Sequence, residues 1–500
     1  MFRHRFQLRA ADVPLYRLCD QATGNVILLM VVFSPWAFGS AQAWAIWTMN
    51  VAGYVLGALL LVKLFIRKLK NYPAPRWDSL QLPEQRRKVS RPPVRAATRT
   101  LAWLTVALLL YCVLHAVNAA ATFDPEKNLF LYRRHLDWLP HSFDAHRTWF
   151  HFWMYLGLAA TFWSLRDWLL GRTAAEEKIF RQQTTPVVPR IPERLRRLLW
   201  LLAINGTLLG LEAIVQHASG SNKLLFLVEP AVNSSPTGDA HFGPFGYRSN
   251  AAQYFDMLWP LVLGGWWRLR NHSLSGKIHL LPVGAAVMAA CPIISLSRAG
   301  AIVAAGLLVT LTIIFLAMEL SSLLRSEKGR QRAGQQLLLT LVFLGVVTAL
   351  GGYFGWEKLS ARLDQIDEGY AFREQMYVDA WPMVKDYPVF GTGPGTFATV
   401  FQLYRISNAT FWAVQLHNDW LETLITFGGT GLLLALAALG CVVVNGWFAP
   451  RRLFITAGLA LVGCLVQARF DFPLQNHCTL FLFLLICAVL SALGAMVRRN

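Results

Sequence analysis

Apolar runs of about 20 residues, the length that crosses a bilayer, recur from one end of the chain to the other. "IVAAGLLVTLTIIFLAMEL" (302–320) is typical. The runs predict twelve membrane-spanning helices at roughly 23–39, 43–66, 100–121, 148–170, 198–218, 250–267, 279–297, 299–320, 336–354, 420–444, 453–468 and 477–496. With the N-terminus inside, three substantial polar segments face outward: 122–147, 219–249 and 355–419. The third is the longest. Its stretch "YAFREQMYVDAWPMVKDY" (370–387) has helical spacing, with Phe372, Met376 and Ala380 on one stripe. The expected fold is therefore all-α and polytopic, with a long, partly helical outer loop. Residues 1–354 hold nine spans and their loops, 355–419 the outer loop, and 420–500 the last three spans.

Composition agrees with that pattern. The chain is 55% hydrophobic and 15% charged, where a soluble protein carries about 25% charged residues. The formal charge of +19 would suit nucleic acid, but its distribution points elsewhere. More than twice as many Lys and Arg fall in the inside segments as in the outside ones, the bias that sets membrane orientation. Lys63 and Arg166 fall near inner helix ends, where long side chains snorkel toward water. Both termini are thus expected inside. A nucleic-acid role is excluded, because no basic, aromatic-interleaved soluble domain is present to carry one. The seven Cys form no CxxC pair and, Cys19 apart, fall in or beside apolar runs, where they read as small helix residues. The polar first 22 residues and the further spans that follow predict an uncleaved signal-anchor. No internal repeat is visible.

Four constellations carry candidate chemistry. In "LSRAG" (296–300), Arg298 falls at the outer junction of two spans. It reads either as an interfacial snorkelling residue or as an anion contact, since a guanidinium pairs bidentately with phosphate. In "FREQMYVDAWPMVKDYPVFGTGPGTF" (372–397), Arg373 opens the amphipathic helix and Gly391, Gly393 and Gly395 form a turn. That turn lacks the strand-turn-helix context and the Lys of a nucleotide loop. Its glycines instead let the backbone approach a neighbour or a ligand closely. In "QLHNDWLETLITFGGTG" (415–431), a helix starting near His417 puts Asp419 and Glu422 on one face and turns His417 away from them. Asn418 or Asp419 could cap that helix. Any carboxylate that orients His417 must then come from elsewhere or from its own first turn. In "HFGPFGYRSNAAQYFDMLWP" (241–260), Arg248 is a second possible anion contact, followed by Asn250, Gln253 and Asp256. Asp256 either pairs with an arginine or lines a cavity. His135, His141 and His146 are spaced so that three metal ligands would not share a helical face.

In this order, "SRAG", Arg373, "DYPVFGTGPGTF" and "HNDWLETLITFGGTG", the chain resembles the O-antigen ligase and O-antigen polymerase superfamily over about residues 240–435. The earlier spans match it in hydropathy alone. The resemblance implies a membrane glycosyltransferase of the bacterial inner membrane whose site faces the periplasm. Its donor would be a glycan on undecaprenyl pyrophosphate, and its acceptor a hydroxyl on a glycolipid, a glycan or a protein. By the motif match, Arg298 and Arg373 would offset pyrophosphate charge and His417 would activate or position the acceptor hydroxyl. Transfer would invert the anomeric centre, with no cofactor and no metal. Candidate substrate contacts are Arg248, Asn250, Gly393, Gly395, Asn418, Asp419 and Glu422. Relatives often show "N-x-N" where this chain has "YRSNAAQY"; Asn250 remains, and Arg248 is an addition. The motifs leave three acceptor classes open: ligase onto lipid A–core, polymerase, or protein O-oligosaccharyltransferase. A transporter of lipid-linked sugars is the alternative of a different class. It should carry ionisable residues near the midplane on broken helices in both halves, whereas the candidate charges here cluster near one face, mostly in the C-terminal half.

Overall fold

A helix occupies each of the twelve apolar segments. The computed structural model describes residues 9–72, 76–77, 92–182, 191–229, 240–270, 276–323, 327–407 and 412–495. Most of the Arg/Pro-rich inner loop 67–99, the middle of the inner loop 171–197 and residues 230–239 of the outer loop 219–249 lie outside that set, as does the Phe372 side chain. The helices of fifteen residues or more are α1 (Pro14–Trp36), α2 (Ala43–Leu69), α3 (Pro92–Val117), α4 (Ala145–Leu170), α5 (Glu193–Ala218), α6 (Arg248–Leu269) and α7 (Leu280–Ile294), followed by α8 (Arg298–Leu323), α9 (Glu327–Gly351), α10 (Ile366–Asp386), α11 (Asp419–Gly446), α12 (Arg451–Gln467) and α13 (His477–Gly494). Among the described residues, nine helices are long and apolar enough to cross a membrane. The other three expected spans are α4, with its polar outer end, α6, which carries Arg248, Asp256 and Arg268, and α12, with 17 residues.

Helix α13, apolar all round, is buried along nearly its whole length, as such a helix is inside a bundle. Helix α6 is buried as fully, with its polar residues Asn250, Gln253 and Asp256 inside. Helices α3, α8, α9 and α11 instead turn rows of Leu, Ile and Val outward, as lipid-facing helices do. One feature departs from the all-α expectation. The segment after α3 forms a small antiparallel hairpin, β1 (Ala121–Asp124) with β2 (Leu129–Tyr132), Ala121 facing Tyr132. The boundary set at 354/355 also falls inside continuous winding: α9 runs through a π-helical turn at Gly352–Trp356 into a further helix, Glu357–Leu363.

Lys63 does not snorkel. It is 0% exposed and pairs with Asp20 at 3.2 Å and Asp167 at 2.8 Å. Arg67 and Arg194 join the same two carboxylates. Arg166 likewise turns inward, donating to Ser491 Oγ at 2.9 Å and to Thr98 Oγ1 at 3.3 Å. Each charge found a partner from another helix, so the long stems had no need to reach water.

The glycine turn and the start of α11 are two halves of one structure. Helix α11 is interrupted at Gly428, whose φ of 63° and ψ of −176° are open essentially to glycine alone. The break frees helical donors and acceptors that must be satisfied within the membrane protein. Residues 388–393 satisfy them: Gly429 N donates to Pro388 O (2.9 Å), Thr430 N to Val389 O (3.1 Å), Thr392 N to Ile425 O (2.9 Å) and Gly393 N to Thr426 O (2.9 Å). A Cβ at Gly391 would lie 2.5 Å from the Gly428 nitrogen. Tyr111 closes the joint by donating to the Phe427 and Phe390 carbonyls at 2.7 and 3.0 Å. This pairing fixes the glycine turn against α11 and so helps set where His417 sits.

Candidate active site

Helix α11 starts at Asp419, not at His417. Asn418 is its N-cap, its side-chain oxygen accepting from Leu421 N at 3.2 Å. His417 stands outside the helix with a left-handed φ of 57°, a conformation that costs a non-glycine residue about 1–3 kcal/mol and concentrates at functional sites. Its flanks hold it there. Tyr377 on α10 donates to the His417 carbonyl at 2.9 Å, and Glu422 Oε2 accepts from Leu416 N at 2.9 Å.

The carboxylate that orients His417 comes from the turn between α12 and α13. Asp471 Oδ1 lies 3.2 Å from His417 Nδ1. The same carboxylate, 1% exposed, accepts from Phe472 N at 3.1 Å and from the Tyr247 hydroxyl at 3.3 Å. Arg373 reaches it from α10, with Nη2 4.0 Å from Oδ2, while Nη1 donates to the Phe470 carbonyl. Tyr247 stacks on Phe472 at 5.2 Å, and the His417 ring meets Phe472 edge-on at 4.9 Å. Burial would raise the Asp471 carboxyl, but His417, Arg373 and Ser249 outweigh it and hold the group below the usual carboxylate range. Burial also pulls on the Arg373 guanidinium, which the charge of Asp471 and its tyrosine neighbours moves upward on balance. Burial and the Asp471 charge push Tyr247 up to about 12. An ionised Asp471 favours a proton on the imidazole nitrogen that faces it, Nδ1, and Nε2 is the ring nitrogen directed away from that carboxylate.

Arg298, the first residue of α8, donates to the carbonyls of Gln365 at 2.7 Å and Arg362 at 3.4 Å. It does not touch His417 directly, but Arg362, Arg373 and Tyr247 are all near enough for their charges to act on it. The starts of α6 and α8 meet through Ser249 and Ser297, 3.1 Å apart. Arg469 lies over the Tyr377 ring at 5.6 Å. Guanidinium groups and the N-terminal ends of α6, α8 and α11 thus gather around Asp471 and His417. Helix N-termini carry partial positive charge and free N–H groups, so such a cluster favours an anion.

The remaining expected contacts are distributed differently. Arg248 opens α6 beside Tyr247 and acts on it electrostatically, at the rim of the cluster. Asn250 is buried on α6, and its side-chain oxygen has no hydrogen-bond partner among the described residues. Gly393 and Gly395 serve a neighbour: a Cβ at Gly393 would lie 2.6 Å from Ser142 Oγ, and one at Gly395 would overlap the His151 ring. Asp419 and Glu422 fasten the Asp471 turn. Asp419 Oδ2 accepts from Leu474 N at 2.7 Å, and Glu422 Oε1 from Gln475 Nε2 at 2.9 Å. Asp256 is 1% exposed and forms no ion pair with an arginine among the described residues. His135 pairs with Asp137 at 2.9 Å and its ring lies 4.9 Å from that of His141.

Sequence reasoning passed over Asp471, Tyr247 and Tyr377. A signal for the first was present: an acid between two phenylalanines in "ARFDFPLQN" (468–476), a short turn between α12 and α13.

Residues 283–436 match the family model of O-antigen ligase. The matched stretch holds Arg298, Arg373, the glycine turn, His417 and Glu422, and ends before Asp471. No curated protein matches the chain.

Proposed function

We propose, for a chain whose residues 283–436 match the O-antigen ligase family model, that it transfers a glycan from undecaprenyl pyrophosphate to an acceptor hydroxyl at the periplasmic face of the inner membrane. The observation that carries the reading is the His417–Asp471–Arg373 contact at the meeting point of three helix N-termini. Arg373 and Arg298 take the pyrophosphate. The acceptor oxygen attacks the anomeric carbon from the face opposite the leaving group, which inverts that centre. The bond from the anomeric carbon to the pyrophosphate oxygen breaks, and the oxygen keeps the electron pair. The hydroxyl proton passes to His417 Nε2, and ionised Asp471 stabilises the imidazolium that forms. The arginines offset the charge that grows on the leaving oxygen, the term that is usually largest in such reactions. The donor brings its own leaving group, so the scheme contains no nucleotide and no metal step.

The test uses the purified full chain in lipid vesicles, given a lipid-pyrophosphate-linked oligosaccharide and separate candidate acceptors. Wild-type protein should produce an acceptor carrying the glycan in inverted linkage, and His417→Ala should produce none while inserting and folding normally. Full transfer by His417→Ala overturns the assignment. Movement of intact donor across the vesicle without joining to any acceptor would replace it with a transporter.

A further inference from the structure

Helices α1 and α5 run side by side in the same direction: Arg194 pairs with Asp20, and Asn205 Nδ2 donates to the Val31 carbonyl at 3.3 Å. One stripe of α5 changes character along that contact. Glu193, Arg196 and Arg197 lie on it in the first turns, then Trp200, Leu201 and Ile204, at the spacing of a single helical face. Helix α1 changes over the same turns, from Arg17, Asp20 and Gln21 to Leu28, Leu29 and Val32. Alongside lies an open trough, made of two cavities of about 820 and 1010 Å³ that share Asn25, Leu28 and Arg197. Its charged part reaches the short helix Ala174–Gln182, and its apolar part reaches Leu269 at the end of α6. The other end of α6 belongs to the His417 site, about 30 Å away along a 22-residue helix.

We infer that this trough binds an anionic phospholipid, its phosphate among the basic side chains and an acyl chain along Leu28, Val32, Leu201 and Ile204. In a bilayer an acyl chain gains little by leaving lipid for an apolar groove, so selectivity comes from the head end. Among the described residues, seven basic side chains line the trough against four acidic ones. Three of those acids are already shared. Glu193 pairs with Arg196 and Arg197, Glu177 with Arg9 and Arg172, and Asp20 with Lys63 and Arg194. Arg17 and Lys178 line the charged part, exposed, with no ion pair among the described residues. The negative charge of a phosphatidylglycerol head offsets that surplus, whereas a choline or ethanolamine head would bring a further cation. Basic pockets between membrane helices select head groups on this ground. Trp200 stands where the stripe turns from charged to apolar, the level at which indole rings collect in membranes. The inference is independent of the glycan-transfer reading, since the trough shares no residue with the His417 site.

The test is photolabelling of the full chain in phosphatidylcholine vesicles, with phosphatidylglycerol and phosphatidylcholine probes that carry the same photoreactive tail. The phosphatidylglycerol probe should label the stretches 28–32 and 201–204 about fivefold or more above the phosphatidylcholine probe. Arg17→Gln and Lys178→Gln should each cut that labelling about fivefold, or about 1 kcal/mol in affinity. Both side chains are exposed and outside the ion pairs that join the helices, so each variant should unfold at the wild-type temperature. Ile204→Trp, which fills the apolar part of the trough, should cut the labelling as well. Equal labelling by the two probes would overturn the inference, and so would labelling that neither the charge variants nor the filled trough reduces. Loss of the label to millimolar inorganic phosphate would reduce the trough to a site for free anions and overturn it too.

Discussion

Replacing Asp471 by Asn separates orientation from charge at the centre of the site. The substitution keeps the shape of the turn but removes the anion that holds His417 Nδ1 at 3.2 Å and faces Arg373 at 4.0 Å. A hydrogen bond to a charged group contributes about 1.5–3 kcal/mol, so losing the one that fixes the imidazole should lower kcat by roughly 10- to 150-fold. The amide can also present its NH2 to Nδ1, which would put the His417 proton on Nε2 and block its work as a base. That effect alone reaches about 10,000-fold where a buried Asp orients a catalytic His. The expected fall is therefore at least tenfold in kcat with a smaller change in the donor KM, read from initial rates of glycan transfer in vesicles. Arg373 keeps its bond to the Phe470 carbonyl and its partial exposure, so the protein should still fold. The pH dependence has a definite sign. The folded-state pKa of Asp471 lies below its ordinary value, so its contribution to stability is complete above the ordinary carboxylate range and is lost as pH falls through the depressed value. Wild type should accordingly keep an ionised Asp471 where free carboxylates titrate, and acid unfolding of Asp471→Asn should lack this contribution. A variant with wild-type kcat would refute the role of Asp471 in positioning His417.

Arg373→Lys should lower kcat/KM for the lipid-pyrophosphate donor by about tenfold or more, about 1.4 kcal/mol, because an ammonium replaces the planar fork with a point charge; unchanged donor kinetics would reduce Arg373 to a structural ion. Gly428→Ala should destabilise the protein by more than about 1–3 kcal/mol, since its Cβ would also collide with the Val389 carbonyl, and thermal unfolding in a bilayer mimetic at the wild-type temperature would disprove the joint between α11 and the glycine turn. Lys63→Met leaves Asp20 and Asp167 without their shared ammonium and should cost about 3–5 kcal/mol; the same unfolding assay decides, and a small effect would mean that Arg67 and Arg194 carry the network.

Local pattern alone determined much of this molecule. Helix positions follow from runs of apolar residues, because a backbone in lipid must satisfy its own hydrogen bonds and a helix does so within one segment. The glycine turn, the polar start of α11 and the arginines Arg298 and Arg373 were legible as unusual residues at apolar boundaries. Position in sequence could not say what they touch. "DYPVFGTGPGTF" and "ITFGGTG" read as two motifs, yet they form one hydrogen-bonded joint, since a helix break at Gly428 needs partners that only another segment can supply. Asp419 and Glu422 read as a helix face turned away from His417, and only the packed structure shows that they fasten the turn that carries Asp471. Lys63 read as snorkelling because a single helix shows its stem and not the carboxylates of α1 and α4. Asp471, 54 residues from His417, could be joined to it only by the packing of α11 against the α12–α13 turn. The stretch "LHNDWLE" marked a candidate site, and the tertiary structure decided which carboxylate faces His417: burial rewards a charge for finding its partner in space, and no one-dimensional period encodes that meeting.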